Sequence, residues 1–236
     1  MENVSGGTSG SRLGLVASRT AGPIEIDLLI FDLDGTLADT KEDIATAVNL
    51  TLSDYGLPPH PPQQIYTFVG DGVRALLARA FESRGADVFA DALAVFRGHY
   101  LDHLVDATRL YPGVETVLDH FAPKKKAIVT NKPIEYTLKL MDGLKARERF
   151  DVILGANSTP HLKPHPGMIH QVLSDLGVSP GRAIMVGDNV NDILAARGAG
   201  VRSVAVGYGL GDPAVLRAAH PDFFCERIEE LMTLFH

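Results

Sequence analysis

A single cysteine, Cys225, is all that this chain of 236 residues contains. An internal disulfide is therefore excluded, and the thiol count fits a reducing cytosol, so a cytoplasmic location is expected. No apolar run approaches the ~20 residues that span a bilayer. The short stretch Leu13–Ala17 is too brief for the apolar segment of a secretory signal. Positive charge is not in excess. The formal net charge of -7 argues against nucleic acid or an acidic membrane surface as partner. Internal repeats and coiled-coil patterns are also missing. What remains is ordinary globular composition, 45% hydrophobic and 22% charged. The length suits one large domain, or one domain carrying a substantial insertion.

Residues 1–23 are rich in Gly, Ser and Thr without a strong period and read as a flexible tail. Ile24–Asp32 (IEIDLLIFD) is an apolar run that ends at an acidic residue and a glycine turn. A buried parallel strand looks like this where its C-terminal end opens into a pocket. Lys126–Asn131, Val152–Gly155, Ala183–Asp188 and Ser203–Gly207 resemble it, and helical patterns separate these later segments. Strand and helix in alternation imply right-handed crossovers and an α/β fold with a doubly wound parallel sheet. Between Asp39 and Tyr111 the rhythm breaks into helical stretches, Val73–Ser83 and Ala86–Leu104 among them. That is too much helix for one crossover. The expected organisation is a core formed by residues 24–41 and 110–236, with a helical insertion at 42–109. Ligands in such sheets bind beyond the carboxyl ends of the strands, so the insertion would lie over the pocket as a lid.

The first strand runs into Asp32-Leu33-Asp34-Gly35-Thr36-Leu37. Alone, a D-x-D-G can be a turn with an Asx cap. It also places two carboxylates at one strand end, where Gly35 lets the chain turn sharply. An ionised Asp32 can attack phosphorus, and Asp34 can donate a proton to the leaving group and later take one from water. The second strand ends in Thr130 and Asn131, a hydroxyl and an amide suited to phosphoryl oxygens. Lys163, in HLKPHP, supplies a positive point charge, and Asp188 and Asp192 stand four residues apart where a strand turns into a helix. Each has a plain alternative: a strand-end cap, a surface lysine, acidic residues at a helix N-terminus. The set, in order and at strand ends, points to one pocket. Four converging carboxylates would repel an anionic phosphate, so a divalent cation is required, and all-oxygen ligation suits Mg²⁺.

DLDGT at Asp32, Thr130-Asn131, Lys163 and GDNVND at Gly187 together resemble the four motifs of the haloacid dehalogenase superfamily. The resemblance implies a Rossmann-like core with an inserted helical cap of the C1 type. It implies Asp32 as nucleophile, Asp34 as acid/base, and Thr130 and Lys163 as stabilisers of the transferring group. It gives the metal to Asp32, Asp34 (through its carbonyl) and Asp188, with Asp192 supporting the ion through a water. Gly35, Thr36 and Asn131 would line the phosphate site. Halide-removing members lack the acid/base two residues after the nucleophile, and Asp34 is present here. Phosphonoacetaldehyde hydrolases need a cap lysine, and no lysine occurs from Glu42 to Pro123.

Among the phosphatases, YPGV at Tyr111, VTNKP at Val129, LKPHP at Leu162, GDNVNDILAARGAG at Gly187 and GYG at Gly207 look most like the bacterial phosphoglycolate phosphatases. Hydrolysis of 2-phosphoglycolate is the leading expectation. Pyrophosphate, nucleotides, sugar phosphates or a phosphomutase reaction are alternatives, and a non-catalytic binding protein on the same scaffold ranks last. The partner is a small phosphorylated metabolite, and the chain is a monomer or homodimer. In the insertion, the glycines of Val69-Gly70-Asp71-Gly72-Val73-Arg74 would let backbone approach a ligand, or simply open a helix capped by Asp71. Arg74 is a candidate for a substrate carboxylate or an exposed helix arginine. The pairs His99/His103 and His161/His165 come without a third ligand and read as surface histidines. Gly207–Asp212 reads as a loop near the pocket.

Overall fold

The computed structural model describes residues 22–81 and 86–236; most of the expected N-terminal tail, residues 1–21, lies outside them. The chain begins with β1 (Leu28–Phe31) and a short β2 (Ala38–Asp39). Four helices follow: α1 (Lys41–Asp54), α2 (Pro62–Tyr66), α3 (Val73–Ala80) and α4 (Ala86–Asp102). The second half alternates: β3 (Arg109–Leu110), α5 (Val114–His120), β4 (Lys125–Val129), α6 (Ile134–Gly143), β5 (Val152–Leu154) and α7 (Gly167–Leu176). It closes with β6 (Ala183–Gly187), α8 (Val190–Ala199), β7 (Arg202–Val206), α9 (Pro213–Ala218), β8 (Phe223–Cys225) and α10 (Leu231–Leu234).

Six strands form one sheet in the order β5-β4-β1-β6-β7-β8, and every pairing in it is parallel. β1 is wholly buried, which explains why it reads as an uninterrupted apolar run. Its side chains still alternate between faces. Leu29 and Phe31 join the cluster that holds α5, α6 and the insertion, while Leu28 and Ile30 join the one holding α7 and α8. β6 divides likewise, with Ile184 and Val186 on one face and Ala183 and Met185 on the other.

The chain builds outward from β1 through β4 to β5, then crosses back to place β6 on the other flank of β1. The carboxyl end of β1 is therefore the point where strand order reverses, and a crevice opens there. Phe31 is level with Ile128 on β4 and Val186 on β6. In consequence Asp32, Thr130 and Asp188, each just past its strand, surround one spot.

The sequence anticipates five strands, and the structure adds β8 at the sheet edge. A two-stranded antiparallel ribbon, β2 with β3, also closes the base of the insertion where the chain leaves the core and returns. Asp43, buried in the first turn of α1, fastens that return. Its carboxylate accepts from Ala107 N–H (2.9 and 3.1 Å), Thr108 N–H (2.8 Å) and the Thr108 hydroxyl (2.7 Å). Asp43→Ala strands these donors, and the expected loss is about 3 kcal/mol of unfolding free energy. Urea denaturation measures it; a loss under about 0.5 kcal/mol would show that the junction does not depend on Asp43.

Candidate active site

Three carboxylates meet at the reversal point. Oxygens of Asp32, Asp188 and Asp192 lie within 4.8 Å of one another, and all three residues are buried. It is the only cluster of three potential metal-binding side chains found among the described residues. Asp192 owes its place to the start of α8. Asn189 caps that helix by accepting from Asn191 N–H, and Asp192 completes the box by accepting from Asn189 N–H at 3.0 Å. Asp188 precedes the cap. Its carboxylate accepts from the Thr36 hydroxyl (3.0 Å), Leu210 N–H (2.7 Å) and Gly211 N–H (3.3 Å).

Lys163 lies behind Asp32, 4% exposed, with Nζ 2.6 Å from Asp192 and 2.9 Å from Asp32 Oδ1. The second contact has ion-pair distance but not hydrogen-bond angles, so Asp32 Oδ1 is buried without an aligned donor. The loop that carries Lys163 is bracketed by Asn131, whose Oδ1 accepts from Lys163 N–H (2.8 Å) and whose Nδ2 donates to Lys163 O (2.9 Å) and Gly70 O (3.1 Å).

Asp34, on the opposite side, has different company. Thr40 donates its hydroxyl to Oδ1 at 2.7 Å. Lys132 Nζ lies 2.9 Å from Oδ1 and 3.1 Å from Oδ2, and 2.5 Å from the Tyr100 hydroxyl. Tyr100 belongs to α4, so the insertion reaches the core's second aspartate through a core lysine. Lys132 is the only basic side chain lining the cavity among the described residues.

The cavity has a volume of about 300 Å³. Asp32, Asp34, Thr130 and Asp188 line it from the core, and Ile44, Val69, Val73, Leu76 and Phe96 from the insertion. Gly70 and Gly72 are in its wall. Gly70 has φ +122°, and a Cβ there would lie 2.4 Å from Asn189 Nδ2, so bare backbone is required for the insertion to come this close.

Not every residue singled out from the sequence takes the place expected of it. Arg74 is exposed on α3 and does not line the cavity, because Gly72 and Val73 turn their side of the helix start inward. Thr36 is fully buried with its hydroxyl donated to Asp188, so it holds a carboxylate and not a ligand. Asn131 does line the cavity, while its amide is engaged by Lys163 and Gly70 backbone, as described above. Gly35, with φ +83°, turns the chain beneath Asp188, where a Cβ would lie 2.1 Å from Oδ2. His99 pairs with Asp54 and His103 with Asp106, both away from the cavity.

Lys132, Thr40 and Tyr100 were given no role in the sequence reading. For Lys132 a signal was present: it directly follows Thr130-Asn131 at a strand end that already pointed into the pocket.

The electrostatics favour a hard cation. Burial pushes the Asp188 carboxyl up to about 7, with Asp32 and Asp192 adding to the shift and Leu210 N–H and the Thr36 hydroxyl opposing it. Asp192 is also raised by burial, against the pull of Lys163. Burial alone would lower Lys163, but Asp192 and Asp32 outweigh it and hold the ammonium above its ordinary value. These tendencies oppose each other across one 2.6 Å contact. An ammonium shared between two carboxylates keeps Asp192 the ionised partner, so Asp188, with no cation beside it, is the group that retains a proton near neutrality. The buried all-oxygen donor set, the undirected Asp32 Oδ1 and the glycine that clears space beside Asp188 together fit a divalent ion of the Mg²⁺ kind.

Residues 29–206 match the family model of haloacid dehalogenase-like hydrolases. The phosphoglycolate phosphatase of Chromobacterium violaceum is 38% identical over 89% of this chain and 96% of its own length. That of Aquifex aeolicus is 35% identical over 88% and 95%. A crystal structure from Haemophilus somnus, described as a predicted phosphoglycolate phosphatase, superposes with a TM-score of 0.84 at 29% identity, covering 88% of this chain and 96% of that one. A six-stranded parallel sheet, acidic residues at the reversal of strand order and a family match over most of the chain lead to one conclusion: this protein belongs to the haloacid dehalogenase-like hydrolases.

Proposed function

We propose that this chain is a Mg²⁺-dependent phosphoric monoester hydrolase that converts 2-phosphoglycolate to glycolate and phosphate. The observation that carries the chemistry is Asp32, a carboxylate at the cavity floor with the Lys163 ammonium 2.9 Å from it. A carboxylate so placed is a competent nucleophile toward phosphorus. The relatives named above supply the substrate, and a cavity of about 300 Å³ suits a small ester.

In the first half-reaction Asp32 attacks phosphorus, the bond from phosphorus to the ester oxygen breaks, and Asp34 gives its proton to the departing glycolate oxygen. In the second half-reaction water attacks the phospho-aspartate, Asp34 takes a proton from it, and the Asp32 carboxylate is released with inorganic phosphate. Lys163 and the Thr130 hydroxyl stabilise charge on the transferring group. Asp32, Asp188 and the Asp34 carbonyl would hold Mg²⁺. Asp192, occupied by Lys163 and Asn189 N–H, backs the site. The bound ion supplies positive charge that lets carboxylates and an anionic phosphate share one pocket.

Residues 42–109 serve as the cap and residues 24–41 and 110–236 as the catalytic core. Contacts of Gly70 with Asn131 (3.1 Å) and of Asp71 with Asn191 (2.8 Å) fit this arrangement, since they seat the insertion's glycine loop on the end of β4 and the first turn of α8. Closed over the phospho-aspartate, the cap's apolar wall limits entry of bulk water.

The direct test is phosphate release from 2-phosphoglycolate, pyrophosphate, nucleoside monophosphates and sugar phosphates, each with Mg²⁺ and with EDTA. Turnover greatest on 2-phosphoglycolate and lost in EDTA is expected; preference for another ester would replace the substrate and leave the chemistry. Asp32→Asn preserves volume and is expected to lower turnover at least ~10³-fold with unchanged circular dichroism. Substantial hydrolysis by the folded variant would defeat the phospho-aspartate route.

A thermal measurement tests the metal. A carboxyl raised from 3.8 to about 7, as in Asp188, contributes stability that is complete below its unfolded value and is lost as pH rises through about 7. In EDTA this contribution disappears between about pH 4 and pH 7, and an ion that binds the carboxylate restores it. The rise in Tm on adding Mg²⁺ is therefore expected to grow by roughly 5 °C between pH 5 and pH 8. In Asp188→Asn the growth should vanish; an equal Mg²⁺ shift at both pH values in the wild type would remove Asp188 from the metal site.

A further inference from the structure

Asp34 is useful as an acid only if its carboxyl points at the ester oxygen as the bond breaks. Two rotatable bonds separate that carboxyl from the backbone, and Thr40 fixes only Oδ1. Held at one oxygen, the group can still swing about that contact. Lys132 removes the freedom, since its Nζ reaches both oxygens, at 2.9 and 3.1 Å. A lysine is itself a flexible support, with four methylenes and a point charge. Here the ammonium is pinned from the far side by the Tyr100 hydroxyl at 2.5 Å, with the Tyr100 ring centroid 4.6 Å away. Tyr100 in turn is 1% exposed, stacked on Phe96 at 5.4 Å and edge-on to Tyr136 at 5.2 Å. Rigid aromatic packing thus passes through one ammonium to the Asp34 carboxyl.

We propose that Lys132 and Tyr100 are positioning residues that orient the Asp34 carboxyl toward the leaving-group oxygen. The inference rests on the acid/base assignment of Asp34 made above. Both residues line the cavity, and the role proposed for them is exercised through Asp34. A purely structural role for this buried lysine and tyrosine would slow every substrate alike. A positioning role slows only those esters whose leaving group needs a proton.

Two small substrates separate these cases. The glycolate oxygen leaves as an alkoxide and requires protonation, whereas acetyl phosphate expels acetate, which is stable as an anion. The quantity to compare is kcat/KM, which covers steps up to departure of the leaving group and is blind to hydrolysis of the phospho-aspartate. With the Mg²⁺-loaded full chain, Tyr100→Phe is expected to lower kcat/KM for 2-phosphoglycolate roughly 10-fold, and Lys132→Met roughly 100-fold. For acetyl phosphate both variants should stay within about threefold of the wild type. Tyr100→Phe keeps the ring and its packing, so the test stands even if Lys132→Met does not fold. An equal fall on both substrates, or no fall on either, would overturn the positioning role while leaving the phosphatase reading intact. A wild type that hydrolyses neither ester would overturn that reading, and this inference with it.

Discussion

Negative charge gathered beyond the carboxyl ends of two adjacent strands, β1 and β6, is the constraint on which the rest of the site depends. Four carboxylates, Asp32, Asp34, Asp188 and Asp192, are met by two buried ammonium groups, Lys132 and Lys163. Fully ionised, the set carries two uncompensated negative charges, the amount one divalent cation neutralises. Burial first, and then the charges of Asp32 and Asp192, push the Asp188 carboxyl up to about 7, and a proton held there relieves part of the excess when no such ion is bound. The two lysines divide the work spatially. Lys163 lies between Asp32 and Asp192, and Lys132 takes Asp34 on the other side. The two aspartates that follow the first strand thus have separate ammonium partners.

The sheet was legible in the sequence because its central strands are buried on both faces. Such strands need no alternation and stand out as apolar runs, as IEIDLLIFD at β1 does. The strand ends were legible for a related reason: an aspartate or a threonine following an apolar run has few uses inside a core. β8 escaped because it is only three residues long, half-buried and at the edge. The β2–β3 ribbon escaped because two residues per strand carry no period at all. Thr36 shows a different limit. Sequence indicates that a polar side chain sits near the pocket, but only the fold decides whether it faces a ligand or braces a neighbour. Lys132 failed the other way, since its partner Asp34 is 98 residues distant and Tyr100 is 32 residues away on a helix of the insertion.

The cavity wall separates two tasks. Residues that can do chemistry come from strand ends of the core, and most of the insertion's contribution is apolar. Core positions are fixed by the register of β1 with β4 and β6, so the reacting groups keep their spacing whatever sits above them. The insertion, joined to the core through the β2–β3 ribbon and the Asp43 clasp, can vary its wall without disturbing that spacing.

Tyr100 is the exception to this division, and its chemistry explains why the exception is a tyrosine acting through a lysine. A carboxylate reaching down from the insertion would compete with Asp34 for the ammonium. An arginine would place a second positive charge beside the Lys132 ammonium. A phenol buried against Phe96 and Tyr136 adds no charge, since burial keeps its proton well above the ordinary value. It can accept from Lys132 without claiming the ammonium for itself. The insertion therefore fixes where the lysine sits and leaves the lysine's charge to the core. That arrangement orients the acid/base without adding to the charge imbalance from which the site is built.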